Sequence, residues 1–160
     1  MMTERSDRGA TAIAIDPPTL GAEANAGGGG STTAADGSGI QLVRRLVGIN
    51  LGLVALQAIS AGAFLSGFEH AVAMHAGVSI ALQLGALVQA VVSVVLWRRR
   101  RVPAWVIGAS LGLLAVVLLQ AGLGRSHRYW LHVPIGVGLF GGLLRQGSKL
   151  DTLRRATHPR

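Results

Sequence analysis

The 160-residue chain contains no cysteine, which removes disulfides, iron–sulfur clusters and thiolate chemistry. Acidic residues are scarce, with seven Asp and Glu against 15 Lys and Arg. Aromatic residues make up 4%. Trp97, Trp105, Tyr129 and Trp130 stand beside the ends of long apolar runs, where amphipathic rings settle at a membrane interface. No Asp, Glu, Lys or Arg falls in the middle of those runs. A proton- or ion-coupled exporter generally needs an ionisable group there, so that class is disfavoured. There is no Walker loop, no HExxH and no Gly-x-Ser-x-Gly, which leaves a hydrolase or transferase without its usual machinery.

Half of the residues are hydrophobic. They gather in four segments, at 46–68, 71–97, 102–123 and 129–144. A span needs about 20 apolar residues at 1.5 Å rise each. The first three segments meet this. The fourth is short, and crosses only with snorkelling of Arg145 and local thinning; a re-entrant or tilted segment is the alternative. The expected fold is all-α, a four-helix transmembrane bundle over residues 41–147. Residues 1–40 are rich in Gly, Ala, Ser, Thr and Asp and bury too little apolar surface to offset ordering, so they read as a disordered tail. They lack the basic start and apolar run of a secretory signal. Residues 148–160 read as a second, basic tail.

The net charge of +8 resembles a nucleic-acid signature until the charges are placed. Arg44 and Arg45 precede the first segment, Arg98-Arg99-Arg100-Arg101 join the second and third, and Arg145, Lys149, Arg154 and Arg155 follow the fourth. The opposite loops hold only Arg125 and Arg128. The positive-inside rule then places both termini and the central loop in the cytoplasm, with a bacterial plasma membrane as the expected location and no nucleic-acid partner.

The segments repeat as two hairpins. Leu56-Gln57-Ala58 matches Leu119-Gln120-Ala121, and each is followed by glycine, at Gly62 and at Gly122 and Gly124. Each copy then has an outer loop, a histidine pair and a second helix, which implies a pseudo-twofold axis along the membrane normal.

Those histidine pairs are His70 with His75 and His127 with His132. Ionisable or ligating side chains at the rim of a membrane bundle are a functional hypothesis by default. His75 and His132 each lie just inside a helix descending from the outer face, so they are expected at matching depth. One axial nitrogen from each of two facing helices is what a haem iron takes. The small residues Gly77, Ser79 and Gly136 follow the two histidines and permit close approach of a flat macrocycle. Residues five apart on a helix point about 140° away from each other, so His70 and His127 are assigned to the loops. Arg125 and Arg128 are candidates for haem propionates through charge-assisted bonds, and Glu69 for a proton donor or ion-pair partner. A rival chemistry takes all four histidines, with Met74, as zinc or copper ligands.

Within the spans, Asn50, Gln57, Ser60, Ser79, Gln83, Gln89, Ser93, Ser110 and Gln120 are polar. Most read as links between helices, worth about 0.6 kcal/mol each. Gln57 and Gln120, equivalent in the repeat, are the best placed to hydrogen-bond near a cofactor or a quinone. Gly108-x-x-x-Gly112 and Gly138-x-x-x-Gly142 read as close-packing faces.

Leu56-Gln57-Ala58 with Gly62, Leu65-Ser66-Gly67, His75, Leu119-Gln120-Ala121-Gly122 and His132 together resemble one four-helix half of haem A synthase. The likeness to b561-type membrane cytochromes is looser. It covers roughly residues 46–145 and implies one haem between histidines at the outer ends of the second and fourth helices. Only His75 and His132 carry over as ligands. Haem A synthase has eight spans, and some members have a loop cysteine pair that is missing here. Its glutamate near the first histidine is matched at best by Glu69, at a different spacing. Haem-methyl oxidation therefore does not carry over. The function expected from sequence is binding of one haem b for electron transfer or haem handling, with His75 and His132 as iron ligands and Gln57, Gln120, Arg125 and Arg128 around the cofactor. A redox partner or a quinone, and a helix-mediated oligomer, are the partners this admits. The other class is a cofactor-free membrane interaction or assembly subunit.

Overall fold

The structure, a computed structural model, describes residues 37–157. Residues 1–36 of the tail expected over 1–40, and the fifth histidine, His158, lie outside the described residues. Those residues form four helices and no strand: α1 (Gly37–Leu65), α2 (Ala71–Arg98), α3 (Ala104–Arg125) and α4 (Tyr129–Thr157). α1 packs against α2 and α4, and α3 against the same two. The helices therefore follow one another around a ring, and α2 faces α4 across its diagonal.

A spacing of alternating three and four residues produces this packing. Along α1 the inward positions are Ile40, Val43, Val47, Asn50 and Val54; along α2 they are Leu82, Ala86, Gln89, Ser93 and Leu96. Such a seam keeps one face of a helix turned to its neighbours over many turns. The bundle is apolar outside and partly polar inside. Asn50, Gln89, Ser93 and Ser110 are fully buried, whereas Ile49, Ile59, Ile80 and Val91 are more than half exposed. This inversion suits helices surrounded by hydrocarbon, where the polar groups must find partners in the bundle. α1, α2 and α3 are long and apolar enough to cross a membrane. The second half of α4 carries Arg145, Lys149, Asp151, Arg154 and Arg155, and that helix does not meet the same measure.

Five of the buried polar residues, Asn50, Gln89, Ser93, Ser110 and Gln146, form one network joining all four helices. Asn50 Nδ2 donates to Gln89 Oε1 at 2.9 Å. Gln89 Nε2 donates to Ser110 Oγ at 3.2 Å and to Gln146 Oε1 at 3.3 Å. The Ser93 and Ser110 hydroxyls lie 2.9 Å apart. Gly85 permits this arrangement, because a Cβ there would collide with Asn50 Oδ1.

All three connections close alike. The N–H of Gly67, Arg100 and His127 returns to the carbonyl three residues back. The next N–H returns to the carbonyl five back, from Phe68 to Ala63, Arg101 to Leu96 and Arg128 to Leu123. This is the Schellman closure, with its left-handed residue at Gly67, Arg100 and His127.

Two boundaries differ from the sequence reading. α1 begins at Gly37, inside the stretch read as tail, and α4 runs on to Thr157, through the stretch read as a basic tail. The reason is burial. Ile40, Val43 and Leu150 are fully buried, and Leu153 packs against that cluster. Arg44 also pairs with Asp151. The bundle thus extends past the apolar segments at its arginine-rich end.

The glycine pairs behave differently from the expectation as well. A Cβ at Gly108, Gly112, Gly138 or Gly142 would meet nothing within 4 Å. These glycines bring no backbones together among the described residues.

Candidate functional site

The apolar core ends before the bundle does. Its last members toward the end opposite the arginine loop are Val54, Leu82, Val117 and Leu139, one from each helix. Beyond them the seam continues with Gln57 on α1, Ser79 and His75 on α2, Gln120 and Gly124 on α3, and Gly136 and His132 on α4. Polar and small residues replace aliphatic ones on every helix at the same level.

His75 and His132 meet there. Their ring centroids are 6.2 Å apart and their planes are inclined by 59°. The two side chains come from α2 and α4, the diagonal pair, so they converge on the bundle axis. Both are half-buried.

Each ring is held through Nδ1 by the first helix of its own hairpin. His132 Nδ1 lies 3.1 Å from the Gln120 carbonyl oxygen. A carbonyl only accepts, so Nδ1 carries the proton in this bond and Nε2 of the neutral ring keeps its lone pair. His75 Nδ1 lies 3.0 Å from Ser60 Oγ. That hydroxyl also donates to the Gln57 carbonyl at 2.9 Å. In both rings Nε2 is the nitrogen left without a protein partner among the described residues.

The glutamines act on the backbone beside the rings. Gln120 Nε2 donates to the His132 carbonyl at 2.9 Å. In the orientation that satisfies both ends of its amide, Gln57 donates to the His75 carbonyl at 3.0 Å and accepts from the Ser79 N–H at 3.0 Å; its nitrogen is also 2.9 Å from His75 Nδ1. Each glutamine therefore grips the carbonyl of its own histidine, and the two hairpins carry one arrangement twice. Gln57 and His75 are 18 residues apart, Gln120 and His132 only 12. Three of the six extra residues lengthen α1 beyond Gln57, two lengthen the connection to α2, and one lies in α2 before His75.

Glycine leaves room for the second ring. A Cβ at Gly124 would touch His132 Cε1 at 3.4 Å, and one at Gly136 would lie 2.9 Å from Gln120 Nε2. Gly62 and Gly77 have open space instead, so of the small residues flagged by sequence, Gly136 is the one that makes a close approach. Ser60 and Gly124 went unrecognised as supports. Ser60 was legible as a polar residue within its span, but its reach to His75 depends on how α1 and α2 pack.

The remaining candidates lie around the rim. His70 is exposed at the start of α2, with no side-chain capping bond. His127 is exposed in its loop and sets its ring edge-on to Tyr129 at 5.8 Å. Arg125 ends α3, Arg128 directly precedes α4, and both are exposed, as is Glu69. No three His, Asp or Glu among the described residues converge as ligands for a metal ion. Met74 is 43% exposed. The geometry therefore brings together two histidines, and leaves the other two in loops.

Comparison of the chain with protein-family models, with curated proteins and with solved structures gives no match.

Proposed function

We propose that this chain is a membrane protein that binds one b-type haem between His75 and His132, for electron transfer or haem handling. The observation that carries this reading is the ring separation. A metal bonded at about 2.0 Å by one nitrogen of each ring, lying about 1.1 Å from each ring centre, sets the centroids about 6 Å apart when the two bonds oppose each other. A tetrahedral ion would draw them to about 5 Å. The 6.2 Å separation favours opposed axial ligands.

Three further features support it. Nδ1 of each ring is held by the protein, and in His132 it donates to the Gln120 carbonyl, which orients Nε2 and raises its basicity as a ligand. The aliphatic core stops one layer below the rings, and an apolar macrocycle suits that part of the bundle. Arg125 and Arg128 lie at the adjacent rim, where they would pair with propionates. When bound, haem supplies one-electron chemistry, and two histidines on its axial positions close the iron to substrates. The likeness to one half of haem A synthase agrees with this reading and adds no activity to it.

In the same reading the apolar head of α4, residues 129–144, completes a fourth crossing. The arginine loop and both chain ends face the cytoplasm, and the histidines lie near the outer surface.

Titration of haemin into the purified full chain tests the proposal. Saturation at one equivalent, with a six-coordinate low-spin spectrum, is expected for the wild type. His75→Ala and His132→Ala should each lose that spectrum, while His70→Ala and His127→Ala retain it. Equal behaviour of all four variants would refute the ligand assignment and leave a cofactor-free membrane subunit as the better reading.

A further inference from the structure

A groove of about 540 Å³ runs along the outside of the bundle between α3 and α4. It does not touch the histidine site. Its walls are Ala109, Gly112 and Val116 on one side and Gly138 and Gly142 on the other. The missing glycine side chains create it, since a Cβ at Gly112, Gly138 or Gly142 would stand in open space.

One end of the groove is basic. Arg145 and Lys149 line it there and are exposed. Lys149 Nζ lies 5.5 Å from the centre of the Trp105 ring, the interfacial pairing expected where a span meets headgroups. Gln146 lines the same end, is 6% exposed, and holds Gln89 through Oε1. Its Nε2 is a buried donor with no acceptor. A donor in that position calls for an acceptor oxygen.

We propose that this groove binds one anionic phospholipid. Arg145 and Lys149 take the phosphate, the glycerol-ester carbonyl accepts from Gln146 Nε2, and one acyl chain lies along the glycines. The length agrees. From Lys149 to Ile135 helix α4 rises about 21 Å, enough for a headgroup zone and the roughly 15 Å of one leaflet's hydrocarbon. A neutral quinone would leave both cations without a counter-charge. A second copy seated here by twofold symmetry would set Arg145 and Lys149 against the same residues of its mate. Basic pockets between helices at one membrane face are suited to anionic headgroups.

The test uses the full chain reconstituted in nanodiscs of phosphatidylglycerol, or of phosphatidylcholine with identical acyl chains. Each sample is then extracted into mild detergent for native mass spectrometry. One retained phosphatidylglycerol per chain is expected, with retention of phosphatidylcholine at least tenfold lower. The double variant Arg145→Gln with Lys149→Gln should lose that preference. Gly138→Leu, whose Cβ meets nothing within 4 Å, should lower retention tenfold with both cations in place. Excess inorganic phosphate should not displace the lipid; displacement by phosphate alone would reduce the site to a simple anion contact and overturn the proposal. Equal retention of both lipids, indifference to Gly138→Leu, or a dimer cross-linked through the groove would overturn it too. None of these outcomes depends on haem.

Discussion

His75 and His132 reach one another from helices of different hairpins, α2 and α4. The first hairpin is longer than the second between its glutamine and its histidine, yet each glutamine holds the carbonyl of its own histidine. His127 shows what a residue outside this site costs. It occupies the left-handed region at φ 56°, where the first hairpin has Gly67. A β-carbon in that region costs about 1–2 kcal/mol. His127→Gly should therefore raise thermal stability, by about 1 kcal/mol, with haemin binding unchanged. A loss of haemin binding in a variant melting at or above the wild-type temperature would make His127 part of the site. The residues legible from sequence were those whose chemistry is rare in apolar segments: His75, His132, Gln57 and Gln120. Ser60, Gly85 and Gly124 were not legible as supports, because their roles depend on which helices cross and how closely.

At the scale of the element, α4 changes character midway. Its first half is apolar and bears His132; its second half is charged on one side and buries Leu143, Gln146 and Leu150 on the other. Counting charge alone ends the bundle near residue 147. The spacing Leu139, Leu143, Gln146, Leu150, Leu153 continues the seam instead, and that pattern was present in the sequence. The ion pair Arg44–Asp151 is too exposed, at 42% and 36%, to hold this end, since such pairs contribute about 0–1 kcal/mol. Burial does so. Leu150→Ala should cost about 2–5 kcal/mol, and Asp151→Ala less than about 1 kcal/mol, read as shifts in thermal or denaturant unfolding of the detergent-solubilised protein. A larger loss from Asp151→Ala would show that electrostatics anchor this end.

Across the whole molecule, polarity is distributed in two places with different work to do. The network of Asn50, Gln89, Ser93, Ser110 and Gln146 ties the four helices together in the half nearer the arginine loop. The second polar layer, with the histidines, sits where the aliphatic core has ended. Class and helix number followed from the four apolar segments and their basic flanks, because lipid imposes length and polarity limits that sequence reports directly. The ring distance did not follow from them, as it depends on the ring-like order of helices that places α2 opposite α4. The most direct test of the haem reading is a reduced-minus-oxidised visible spectrum of the full chain, purified in mild detergent from cells supplied with haem precursors. Sharp α and β bands of a low-spin b-type haem at one haem per chain are expected, and they should be absent from the His75→Ala, His132→Ala double variant. A folded, colourless wild type, or bands that survive the double variant, would contradict it.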